Sequence, residues 1–109
     1  MTDPTRTAQV TVQVTRTAPD QYAVTGPLTF ATARGALSSG IAAFSSASGS
    51  PISVDCSGVG ASDSAGLAVL LEWLAWGRRS GRELRYSGVP EAICAIARIS
   101  EVESLLLAR

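Results

Sequence analysis

Hydrophobic and polar positions change their period several times along the chain, and each change predicts an element boundary. Ile52, Val54 and Cys56 alternate with Ser53 and Asp55, the period-2 pattern of a strand with one buried face. Residues 57–62 interrupt the alternation with Gly58, Gly60 and two serines and read as a loop. From Asp63 the spacing turns helical, with Leu67, Leu70, Leu71 and Leu74 on one face. The middle of the chain is therefore strand, short loop, buried helix.

The flanks follow the same logic. Residues 8–15 alternate, with Val10, Val12 and Val14 inward and Gln9, Thr11 and Gln13 outward. Ala18-Pro19-Asp20 is turn chemistry, after which residues 21–25 return with Tyr22 and Val24 inside, giving a hairpin that Gly26-Pro27 ends. Phe30, Ala33, Leu37, Ile41 and Phe44 recur at near-helical spacing behind a cap at Thr29 or Thr32, with Gly35 and Gly40 weakening that helix. Ser80-Gly81 stops the central helix behind Arg78 and Arg79. Residues 83–87 make a short strand, and Pro90 suits the first turn of a helix burying Ile93, Ile96 and Ala97. Ser100-Glu101-Val102-Glu103 has the spacing of a capping box for a last helix with Val102, Leu105 and Leu106 on its apolar side. The predicted order is ββαβαβαα, a mixed β-sheet flanked by helices, with parallel neighbours across each strand-helix-strand unit.

Composition narrows the function classes. A chain of 109 residues suits one domain spanning 1–109, with 1–7 flexible. Net charge is zero and the nine basic residues, all arginine, form no dense run, so no nucleic-acid footprint is visible. No stretch is apolar enough for a membrane span, and the N-terminus lacks a secretory pattern, which predicts a cytoplasmic protein. Histidine is absent, which removes Ser-His and Cys-His nucleophile pairs and any plausible zinc cluster. Cys56 and Cys94 lack CxxC spacing, and Cys56 reads as a reduced, buried strand residue. Residues 58–63 imitate a dinucleotide fingerprint, but Asp63 stands in place of its third glycine. The G-x-S-x-G pattern fails because a second serine, Ser64, follows two residues after Ser62. Asp55 and Asp63 fit loop hydrogen bonding and helix capping better than a catalytic pair. No cofactor, metal or catalytic residue is expected.

The candidate chemistry lies where the central helix begins. Asp63 or Ser64 can accept the free N–H groups of its first turn, and the partial positive charge there favours an anion, including a phosphoryl group on a serine. Residues 54–59, Val-Asp-Cys-Ser-Gly-Val, followed by Asp63-Ser64-Ala65-Gly66-Leu67 and the leucine run, resemble the STAS domain family. The resemblance implies a small mixed sheet flanked by helices and a switch residue at this helix start. In the anti-sigma factor antagonists of that family the phosphorylated serine immediately precedes the glycine; that position is Ala65 here, so the usual acceptor hydroxyl is missing. The pattern, with a hydroxyl residue at Ser64, is more similar to the Mla-type STAS subunits. These bind the ATPase of a phospholipid-transporting ABC system that maintains lipid asymmetry.

A second apolar stripe, Val69, Trp73 and Trp76, is rotated away from the leucines. Small domains can rarely bury two stripes alone, and tryptophan is enriched at interface hot spots. The tryptophans either cover the sheet's edge or face a partner; on the second reading the partner-facing surface is Asp63, Ser64, Ala65, Gly66, Val69, Trp73 and Trp76. The resemblance implies two partners to choose between, a Mla-type ABC ATPase subunit or an anti-sigma factor kinase.

Overall fold

The computed structural model describes residues 11–106. Its strands β1 (Gln13–Ala18), β2 (Gln21–Leu28), β3 (Ile52–Ser62) and β4 (Leu84–Ser87) form one sheet in the order β1-β2-β3-β4. β1 is antiparallel to β2, and the β2–β3 and β3–β4 pairs are parallel. Helices α1 (Ala33–Phe44), α2 (Ser64–Arg79), α3 (Glu91–Ile99) and α4 (Glu103–Leu106) complete the order ββαβαβαα. The mixed α/β class and the element order are as the periodicity predicts.

Alternation sets the layers. Tyr22, Val24, Ile52, Val54 and Cys56 are buried, whereas Ser53 and Asp55 between them are exposed and Ala23 is half-buried. One face of the sheet therefore carries the helices and the core. Phe44 sits at the centre of an aromatic cluster, edge-on to Tyr22 at 5.3 Å and to Trp73 at 5.2 Å. The Tyr22 hydroxyl is buried there without a hydrogen-bond partner among the described residues.

Several boundaries differ from expectation, each for a nameable reason. The first strand is Gln13–Ala18 and not 8–15, because the Pro19-Asp20 turn, with Asp20 at φ 60°, lets pairing run up to the turn. Its expected inner residue Val10, and the expected flexible stretch 1–7, lie outside the described residues. Gly26-Pro27 does not end β2. The β2–β3 register shifts between Gly26 and Leu28, so Pro27 falls where no ladder bond is required of it. Likewise 57–62 is no loop: it continues β3 against β2, from Thr25↔Gly58 to Leu28↔Ser62. A side chain at Gly58 would lie 3.0 Å from the Val24 carbonyl oxygen, so glycine permits this close approach.

The helices bring two further corrections. Thr32 is the α1 N-cap residue, but its hydroxyl accepts from the Thr29 N–H (3.0 Å) and donates to the Pro27 carbonyl (2.8 Å). Phe30 thus lies before the helix, outside its apolar stripe. The Ser100–Glu103 capping box does not form. Ser100 closes α3, Glu101 takes φ 60°, and the Val102 and Glu101 N–H groups donate to the Ala97 and Arg98 carbonyls. Glu103 instead pairs with Arg98 at 3.2 Å. The α2 stop does follow the sequence: Gly81 at φ 72° donates to Arg78, and Arg82 donates 2.8 Å to Gly77.

Candidate functional site

The start of α2 is built from its cap. One carboxylate oxygen of Asp63 accepts the Ala65 N–H (2.9 Å) and the Gly66 N–H (3.3 Å), which satisfies two free donors of the first turn. The other accepts the Phe30 N–H at 3.1 Å. One side chain therefore caps the helix and fixes the loop between β2 and α1 beside it. Gly66 is buried against the Leu28 carbonyl, where any side chain would collide with backbone, so the helix can begin tight against the end of β2.

This arrangement leaves Ser64 exposed and presents Phe30 to solvent at 85% exposure. Between the first turns of α1 and α2 runs a groove of about 380 Å³. Phe30, Ala33, Leu37, Ala65, Ala68 and Val69 supply its apolar lining, with Arg34 and Glu72 also at its wall. An exposed aromatic thus stands next to an apolar groove that carries one charge of each sign.

Asp63, Ser64, Ala65 and Gly66 thus come together at this helix start, with Gly66 beneath the surface. Trp73 does not: it is 0% exposed, its indole N–H donates 3.3 Å to the Leu37 carbonyl, and its ring occupies the space left by Gly40 of α1. The expectation of an outward Trp73 is therefore corrected. α2 buries its Gly66, Leu70, Trp73 and Gly77 line, while Leu71 and Leu74 are only half-buried. Trp76 is half-buried with its ring 6.1 Å from Phe44, and Val69 is 4% exposed at the groove floor. Sequence reading missed Phe30, Ala68, Arg34 and Glu72. Choosing Thr32 as the cap would have placed Phe30 ahead of the helix and so outside the core stripe.

The shifted titratable groups of β3 and β4 lie away from this groove and give no sign of nucleophile activation. Burial, with the Asp55 charge secondary, pushes the Cys56 thiol up to about 12. The Ser57 backbone N–H, then the Ser57 hydroxyl, hold the Asp55 carboxyl below its ordinary value. Burial raises the Tyr86 phenol well above its ordinary value, and its hydroxyl donates 2.6 Å to the Leu70 carbonyl. Among the described residues no group of His, Cys, Asp and Glu could hold a metal ion, and no helix is long and apolar enough to cross a membrane.

A four-stranded mixed sheet with a capped, solvent-facing helix start defines a small α/β interaction module. Residues 12–108 match the family described as "Mlab, STAS domain", and the chain belongs to the STAS domain family. Domains of this family are generally non-catalytic regulatory modules that bind partner proteins, transporter components among them. A solved structure of similar fold is that of the murine anion transporter Solute Carrier 26 family member A9 in its inward-facing state, at 19% identity and a TM-score of 0.55. The likeness covers 74% of this chain and 14% of the transporter, and it bears on the fold alone. A search of curated proteins finds no match.

Proposed function

We propose that this domain is a non-catalytic cytoplasmic subunit that docks on the ATPase of an Mla-type phospholipid-transport ABC complex and regulates or stabilises it. It reaches the inner membrane through that partner and not by insertion. The observation that carries the reading is the Phe30 groove beside an exposed Ser64 whose neighbour, Ala65, has no hydroxyl. The family description and the sequence resemblance to Mla-type subunits support it. In this reading Phe30 enters a partner pocket, Ser64 contacts the partner surface, and Arg34 and Glu72 fix the register.

A second reading is kept because Ser64 is exposed on the first turn of a helix, where a phosphoryl group is tolerated. There the domain is an anti-sigma factor antagonist switched by an anti-sigma factor kinase.

The deciding experiment is co-purification of the native chain with its partner, repeated for Phe30→Ala and Ser64→Glu. Phe30→Ala should change folding stability by no more than about 0.5 kcal/mol, since the ring is exposed. It should weaken ATPase binding by at least about 2 kcal/mol, roughly thirtyfold. Ser64→Glu should fold normally and bind more weakly because it places charge in the contact surface. Capture of a kinase-like anti-sigma factor, with stoichiometric phosphoserine at Ser64, would replace the first reading by the second.

A further inference from the structure

The far end of α2 carries a different surface. Sixteen residues separate the two ends, a length of roughly 24 Å at about 1.5 Å per residue. There, between the last turn of α2, the start of β4 and α4, lies a cleft of about 510 Å³. Leu84 is buried and Leu74 half-buried in its apolar lining, exposed Leu105 adds to it, and Arg78 and Arg82 also line the cleft.

The charges in this cleft are not balanced internally. Glu83 also lines it, but its carboxylate is engaged by Arg85 at 2.8 Å, which leaves the two arginines in excess. Among the described residues neither Arg78 nor Arg82 forms an ion pair. The N–H groups of Ser80, Gly81 and Arg82 satisfy the carbonyls of Trp76, Gly77 and Arg78, so the helix end draws on the arginines through its partial negative charge alone. Arg82 is also held in place: it donates 2.8 Å to the Phe44 carbonyl, so part of its ordering entropy is spent before any ligand arrives. A guanidinium fork beside an apolar lining suits a ligand with an oxyanion at one end and a short hydrocarbon body at the other.

We propose that this cleft binds a small amphipathic oxyanion, a phosphate or carboxylate head on a short apolar tail, at the end of α2 opposite the Ser64 face. The site is independent of the partner reading above, and its test uses the chain alone.

The probe is n-octyl phosphate, titrated below its micelle concentration into the ¹⁵N-labelled chain and followed by amide shifts. Saturable shifts are expected at Gly81, Arg82 and Leu84 and not at Ala65 or Ala68. Arg78→Ala should weaken binding about tenfold, the scale of one charge-assisted hydrogen bond, without moving the melting temperature, because Arg78 is exposed. Inorganic phosphate and octanol should each bind at least about tenfold more weakly, since each offers only half of the recognition. Leu105→Ala should weaken octyl phosphate and leave inorganic phosphate unchanged. Octanoate run in parallel identifies the head: weaker binding assigns a phosphate, and equal binding assigns either oxyanion. Failure to saturate, unchanged affinity in Arg78→Ala, or octanol or inorganic phosphate matching octyl phosphate would each overturn the assignment.

Discussion

One face of α2 presents Gly66, Leu70, Trp73 and Gly77, all buried against the sheet and α1; beside it Ala65, Ala68 and Glu72 line an open groove. Both faces are rich in apolar or small residues, yet only the first is filled by this chain's own side chains. The difference lies in what stands opposite. Trp73 faces Gly40, whose missing side chain leaves room for the indole, and Phe44, which meets it edge-on. Ala65 and Ala68 face the loop before α1, where Phe30 lies outward and leaves the groove unfilled. Apolar character alone does not separate core from open groove. Complementary volume on the neighbouring element does.

The sharpest break of this comparison is Trp73→Ala. Removing a fully buried ring should cost about 3–5 kcal/mol of folding free energy, read from a urea transition of the purified domain. A loss below about 0.5 kcal/mol would mean that the ring belongs to the outer face after all.

A smaller effect is expected at the hinge between the two regions. Asp63→Ala removes the α2 cap together with the bond to the Phe30 N–H, and should cost about 1–2 kcal/mol. Amide exchange should quicken at Phe30, Ala65 and Gly66 while the Trp73 region keeps its protection. Uniform loss of protection would show that the groove and the core are not separable.

Alkaline titration tests the core side alone. Cys56 has a folded value near 12 against an ordinary 9.0, so its native state holds a proton that the unfolded state releases. Its contribution is complete below pH 9.0 and is lost as pH rises toward about 12, and buried Tyr86 acts in the same direction above its ordinary 10.0. Urea midpoints should therefore be constant up to pH 9.0 and fall above it, and Cys56→Ala should flatten the early part of that fall.

The smallest change expected is Tyr22→Phe. It deletes a buried hydroxyl that has no partner among the described residues and keeps the edge-on contact with Phe44. Stability should stay within about 0.5 kcal/mol or rise, because no hydrogen bond is lost and an unmet polar group is removed. A loss above about 1 kcal/mol in the same urea transition would reveal a partner for that hydroxyl.

Local rules written in neighbouring residues were legible without coordinates. The alternation of Ile52, Val54 and Cys56 determined a strand with one buried face, and Asp63 and Gly81 determined where α2 begins and stops. The order ββαβαβαα and the missing hydroxyl at Ala65 were equally plain, since each depends only on residues a few positions apart. Other features were decided by contacts between distant parts of the chain. β3 continues through Gly58 and Gly60 because β2 lies close enough to pair with it. Trp73 turns inward because Gly40 makes room for it. Phe30 is displayed because Asp63, 33 residues on, accepts its N–H. Periodicity reports which face of an element is apolar, but not which neighbour has the volume to cover it; that is fixed only when the elements pack.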